Sequence, residues 1–291
     1  MTGKVFVLGA TGKVGQPLVR FLAAKGAAVT AYVRNPDKVA SLAGVTAVKG
    51  DTQDLDAFAA AIQGHERLFL LSSNPLSAAN EPKLATIAVQ AGIKQIVKLS
   101  VIDASESEEL GSIQNLHGAA EKGILAAAPG VAVTFLRPGY FLQNLLNNAA
   151  EIKHKGTITT AMGNAQVAHI DTTDIAEVVA VILTSPVDEY NRMSLTLTGP
   201  LARTWDEVAD VITKTLERPV RISHVEPAAL IALLVGFGLP RRSAWMFTHV
   251  QTLMRVKYTG NGYTSGNVEF VLGRKARSLE QFLDENRAAF A

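Results

Sequence analysis

Gly9, Gly12 and Gly15 stand at three-residue intervals in "VFVLGATGKVGQPLVRFL". Diphosphate binding asks for this pattern. The ligand must approach backbone at a helix N-terminus, where unpaired N–H groups and the helix dipole attract negative charge, and side chains at the glycines would block it. Three such glycines also serve a purely structural turn, but here they follow a strand-like run and open a helical one, which favours the nucleotide. Lys13, inside the turn, either adds positive charge near the phosphates or faces water.

The second chemical signal is "AYVRNP". Val33 stands where an acidic residue would accept a ribose 2′-hydroxyl, and Arg34 follows it. A guanidinium offers a planar fork of donors to a 2′-phosphate, so NADP(H) is the expected cofactor, the alternative being a solvated loop arginine. Further candidates lie at the C-terminal ends of later strands, where open α/β sheets place their ligands. Asp51 in "VKGD" is placed to accept the adenine amino group. Leu71, Ser72, Ser73 and Asn74 in "LLSSN" fall alongside the ribose and phosphates, and Ser100 ends "VKLS". Each serves equally well as a turn-former or helix cap.

The elements that must position these residues are legible as alternation. Short β-branched runs at 4–9, 28–34, 45–51, 67–73, 94–100 and 131–139 alternate with helical stretches at 15–25, 55–62, 81–91 and 115–128. Strands this apolar are buried on both faces, which predicts an α/β, Rossmann-type doubly wound parallel sheet with helices on both sides. Residues 1–144 form the expected dinucleotide-binding domain. Residues 145–291 form a smaller C-terminal substrate or lid lobe interleaved with the sheet, with strands at 157–163, 165–171 and 193–199 and helices at 172–183, 204–216 and 278–290. The apolar run Ala228–Leu239, broken by Gly236 and Gly238, is too short to cross a bilayer and reads as a buried or lid helix.

"GATGKVG", "VRNP", "KGD", "LHGAAEKGI" and "TFLRPGYFLQN", in this order, resemble the NmrA-like group of atypical short-chain dehydrogenase/reductases, and within it NADPH-dependent quinone and triphenylmethane reductases. The resemblance is strong to about Asn144 and looser beyond. It implies a cofactor role for Gly9, Thr11, Gly12, Val14, Gly15 and Arg34. It carries no substrate, and it includes redox-sensing regulators that bind the nucleotide without turnover. A non-catalytic regulator is therefore the alternative to a reductase.

Typical short-chain dehydrogenases exchange a proton through a Tyr with a Lys four residues later, and none of the five tyrosines here has that Lys. On the corresponding helix, His117 and Glu121 stand one turn apart. His117 either donates a proton or orients the nicotinamide ribose, and the pair equally serves to stabilise the helix. In "LRPGYFLQN", Pro138 brings backbone to the nicotinamide, while Tyr140, the second catalytic candidate, Phe141 and Asn144 wall the substrate side or pack the core. Trp245 and Phe247 suit a lid over a flat aromatic substrate, or a core or dimer face.

The remaining composition excludes other classes. A net charge of +2 with scattered basic residues argues against nucleic acid, and the absence of cysteine removes disulfides and thiolate chemistry. The histidines lack metal-ligand spacing, so no metal is expected. No export signal opens the chain. The expectation is a cytoplasmic monomer or homodimer, off the membrane, reducing a small quinone-like or aromatic molecule with NADP(H). Arg34→Glu should weaken NADPH binding by more than about tenfold, through loss of a charge-assisted bond and added repulsion, and NADH binding far less. Equal losses in parallel titrations would remove Arg34 from the 2′-phosphate.

Overall fold

The computed structural model describes residues 3–39, 42–72, 75–104 and 111–290. Its elements begin with β1 (Val5–Leu8), α1 (Gly15–Ala24), β2 (Val29–Val33), β3 (Val45–Lys49), α2 (Leu55–Ala61), β4 (Arg67–Leu70), α3 (Glu81–Gln90), β5 (Gln95–Leu99), α4 (Ile113–Ala127) and β6 (Ala132–Pro138). There follow α5 (Ala149–Lys155), β7 (Thr157–Thr160), α6 (Thr172–Ile182), β8 (Ser194–Leu197), α7 (Trp205–Leu216) and β9 (Arg221–His224). The last are α8 (Pro227–Gly236), α9 (Arg241–Tyr258), α10 (Asn267–Leu272), α11 (Leu279–Glu285) and α12 (Arg287–Phe290). The chain divides into two compact units. The first runs up to Pro138 and takes in Thr172–Leu197 and Asn267–Arg274, while the second comprises Gly139–Asp171, Thr198–Gly266 and the chain from Lys275 on.

The first unit is built on a seven-stranded sheet in the order β3-β2-β1-β4-β5-β6-β8, parallel at every pairing. This is the expected doubly wound Rossmann-type arrangement. Strands β1, β4 and β5 are buried along their whole length, and a parallel sheet of that kind requires helices on both faces. On one face Phe6, Leu8, Leu68, Leu70, Ile96 and Phe135 pack with Leu84 of α3 and Ile124 of α4. The order reverses between β1 and β4, which leaves a crevice at their C-terminal ends.

Helix starts follow local capping chemistry. Asp54 accepts from Ala57 N at 3.0 Å to open α2. Ser112 accepts from Asn115 N at 3.1 Å and starts α4 two residues before the predicted Asn115. Reciprocal capping boxes, Thr204 with Glu207 and Ser278 with Gln281, open α7 and α11.

The second unit departs from expectation in four places. The predicted strand at 165–171 makes only isolated bridges, Ala165 to Thr259, Val167 to Arg203 and Ile170 to Phe141, because its neighbours are separate segments. The strand β9, "RISH", was not expected, since four residues half of them charged or titratable read as loop; it exists by pairing with β7. The helix expected over 278–290 is interrupted at Asn286. The apolar run Ala228–Leu239 is not a buried helix: α8 ends at Gly236, only Leu230 is buried, and Phe237 is 72% exposed. No described helix is long and apolar enough to cross a membrane.

Arg67, buried at the start of β4, ties the sheet to the end of α6. Its Nη1 donates to Gln95 Oε1 at 2.8 Å and to the carbonyls of Leu183 and Ser185 at 3.0 and 2.8 Å. Arg67→Met should lower unfolding free energy by about 2–3 kcal/mol, the worth of hydrogen bonds to a charged group, in chemical denaturation. A loss below about 0.5 kcal/mol would mean that these carbonyls find other donors.

Candidate functional site

The glycine turn between β1 and α1 separates structural from ligand requirements. Gly9 has φ +70°, and a Cβ there would lie 2.9 Å from Leu71 Cδ2. A Cβ on Gly15 would come within 2.0 Å of the Gly9 carbonyl oxygen, so only glycine lets α1 seat on the end of β1. Gly12 is different: its Cβ would meet only Gly9 O, at 3.3 Å. The protein's own packing scarcely requires glycine at 12. The cradle in front of Gly12 therefore suits a diphosphate drawn to the free N–H groups of a helix start. Val14, buried, is the N-cap of α1, while Lys13 is exposed.

The crevice at the strand-order reversal is a cleft of about 280 Å³. It brings together the predicted residues Gly9, Thr11, Gly12, Arg34, Asp51, Leu71 and Ser72. Val14 and Gly15 stand behind the turn, and Ser73 and Asn74 lie outside the described residues. Arg34 is exposed on the rim and has no carboxylate partner among the described residues, leaving its guanidinium available to a phosphate. Asp51 Oδ1 accepts from Gln53 N at 3.0 Å, a turn role that leaves the other oxygen open among the described residues. Three wall residues, Tyr32, Gly50 and Thr52, were missed in the sequence. Tyr32 donates its phenol to Asp51 O at 3.3 Å, and a Cβ on Gly50 would lie 2.1 Å from its ring, so Gly50 is what admits the ring.

Behind the cleft lie two buried polar networks. Ser72, expected beside the ribose, turns its hydroxyl to Glu81 Oε1 at 2.7 Å, and its N–H reaches the same oxygen at 3.2 Å. Glu81 pairs with Lys98 at 2.6 Å, both side chains fully buried. Lys98 donates to Leu99 O at 2.6 Å and to His117 Nδ1 at 3.0 Å. In the second network, Ser100 donates to Glu121 Oε1 at 2.5 Å, and Glu121 is paired with Arg137. His117 and Glu121, one turn apart on α4, thus serve different partners rather than each other. Burial, reinforced by the Lys98 charge, holds the His117 imidazole well below its usual range, so it is neutral at pH 7. Pro138 ends β6, its carbonyl accepting from Ile102 N at 2.8 Å. Glu81, Lys98 and Arg137 were not singled out from sequence, although a lysine between Val97 and Leu99 in a core strand was a visible signal.

The second unit holds a pocket of about 440 Å³, within the range of small-molecule sites. Tyr140 lines it, with Gln251 and Asn144 hydrogen-bonded to its phenol, and burial pushes that phenol's pKa up. The Tyr140 ring meets His169 and Trp205 edge-on at 5.7 and 6.4 Å. Burial lowers His169 to about 4. Leu230, Phe237 and Phe247 supply apolar wall. Of the other predicted substrate residues, Trp245 is outside the lining and stacks on His249 at 4.9 Å, and Phe141 bridges to Ile170.

The NmrA-like family model matches residues 1–285. An NAD(P)H azoreductase of Xenophilus azovorans is 30% identical over 289 residues, 98% of this chain and 99% of that protein. Quinone oxidoreductase 2 of Escherichia coli (strain K12) is 30% identical over 242 residues, 81% of this chain and 82% of that protein. The solved structure of an Escherichia coli NADPH-dependent quinone oxidoreductase, QOR2, complexed with NADPH, matches with a TM-score of 0.86 at 26% identity, over 97% of this chain and 99% of that one.

The two glycines should separate in mutagenesis. Gly12→Val should leave a folded protein that no longer binds NADPH by calorimetry, because the side chain enters the cradle. Gly15→Ala should unfold or strongly destabilise the chain, because its Cβ meets backbone. Normal NADPH affinity in Gly12→Val would place the phosphate cradle elsewhere.

Proposed function

The chain belongs to the NmrA-like family, and from that premise we propose that it is an NADPH-dependent oxidoreductase reducing an electron-poor conjugated acceptor, a quinone or a dye. The observation that carries this reading is the cleft at the strand reversal, with an open cradle at Gly12 and an Arg34 without a carboxylate partner among the described residues. Bound there, NADPH supplies the hydride. The chain supplies binding and orientation. The α1 N-terminus and the glycine turn hold the diphosphate, Arg34 holds the 2′-phosphate, and Asp51 borders the adenosine half. His117 donates a hydrogen bond toward the nicotinamide ribose, and Pro138 gives the ring a rigid backbone neighbour.

The acceptor is assigned to the pocket of the second unit. Phe247, Leu230 and Phe237 offer flat apolar surface, and Tyr140, kept protonated by its burial, donates a hydrogen bond to the acceptor's oxygen or nitrogen. The absence of a Tyr and Lys pair fits acceptors whose reduction requires no strong acid. A pocket of this size beside a phenol donor is what a reductase needs and a nucleotide-sensing regulator does not.

NADPH consumption against a panel of quinones, azo dyes and triphenylmethane dyes tests the reading. Tight NADPH binding with no turnover on any member would overturn it in favour of a regulator. Within an active panel, His117→Ala should raise KM for NADPH about two- to tenfold, the worth of one hydrogen bond, with a smaller effect on kcat. The wild-type rate should show no ionisation near the usual histidine pKa of about 6.5, because His117 is already neutral there. A kcat loss of about 10²-fold or more, with a rate falling as pH rises through neutrality, would make it a general acid instead.

A further inference from the structure

We propose that Lys98, clamped by Glu81, is a positioning residue that holds His117 as a fixed hydrogen-bond donor with its hydrogen on Nε2. The inference rests on the reading of His117 as a nucleotide-orienting donor and adds what makes it one.

The pair is expensive where it stands. Both side chains are fully buried, and buried ion pairs exchanged for apolar residues of similar volume commonly leave stability unchanged or raised. Stability is therefore a weak reason for its presence. Its geometry is the stronger one. A lysine ammonium has three hydrogens and no lone pair. Lys98 directs hydrogens at Leu99 O at 2.6 Å and at His117 Nδ1 at 3.0 Å, and its charge is balanced by the Glu81 carboxylate at 2.6 Å. With an ammonium as donor, Nδ1 must accept, so the ring is neutral and its hydrogen lies on Nε2. An imidazolium would set N–H against ammonium.

Strand and helix geometry makes this arrangement rigid. Lys98 is two residues beyond Ile96, on the sheet face that α3 and α4 cover, so its amine meets Glu81 from the first turn of α3 and His117 from α4. The charged groups acting on this cluster are Lys98 itself, Glu81, and Glu121 one turn beyond His117. Glu81 also accepts from Ser72, a wall residue of the cleft, through Oε1. One carboxylate therefore fixes both the cleft wall and, through Lys98, the histidine.

Histidine ¹⁵N NMR on the full chain reads the tautomer directly, with the His117 signals assigned by their loss in His117→Gln. The wild-type protein should show an unprotonated Nδ1, a protonated Nε2 and no titration between about pH 5.5 and 8.5. In the neutral, near-isosteric double variant Lys98→Met with Glu81→Gln, His117 should populate both tautomers or titrate nearer its ordinary range. KM for NADPH should then rise about two- to tenfold, matching His117→Ala. A wild-type His117 carrying its hydrogen on Nδ1, or titrating near neutrality, would overturn the proposal without recourse to any variant. So would an unchanged tautomer in a folded double variant. If the tautomer behaves as stated but neither variant alters KM for NADPH, Lys98 does set the ring, and the orienting role of His117 is what fails.

Discussion

A parallel sheet buried on both faces has almost nowhere to put a polar group except the ends of its strands. Strands β1, β4 and β5 are closed to solvent along their lengths, so backbone and side chains able to meet a charged ligand emerge only where the strands stop. The reversal of strand order between β1 and β4 opens that edge into a cleft. Everything assigned to the nucleotide follows from this. The turn after β1 must seat α1 closely, which only glycine at 15 permits, while the space at 12 stays open.

The buried Glu81–Lys98 pair is the exception to that rule and the reason it is informative. Lys98 sits inside a core strand, where an isolated ammonium would be prohibitively costly, and is tolerated because Glu81 balances its charge while a backbone carbonyl and an imidazole take up its hydrogens. Glu121 plays the matching part for Ser100 and Arg137. The helix α4 thus presents two polar residues to two separate networks. Neither is a conventional proton-exchange pair, and a neutral His117 agrees with chemistry in which the cofactor carries the hydride and the protein orients it.

The second unit uses a different economy. Its β7–β9 pair is short, and its pocket is walled mainly by helices. Aromatic and aliphatic side chains from α8 and α9 face a polar side made by the Tyr140 phenol, Asn147, Asn148, Glu151, His154 and Lys155, so the pocket pairs an apolar wall with a polar one. Phe237 lines this pocket and is exposed rather than packed into a core.

The sequence alone determined what depends on neighbours along the chain. Alternating apolar runs set the parallel sheet, glycine spacing set the turn before α1, and Ser, Thr and Asp set where helices begin, because each is decided within a few residues by period, backbone freedom or a capping bond. Arg34 and Asp51 were legible for the same reason: each follows a strand whose end is fixed locally. What the sequence left open was partnership. Ser72, Glu81, Lys98 and His117 come from β4, α3, β5 and α4, and His117 was read with Glu121 because helical spacing is visible and a contact across the sheet face is not. The strand β9 and the failure of 165–171 to become one were likewise settled by which segments lay beside them. Charge state belongs to this second class as well. Burial and a lysine nineteen residues away keep His117 neutral, and desolvation is a property of the packed fold rather than of the residue.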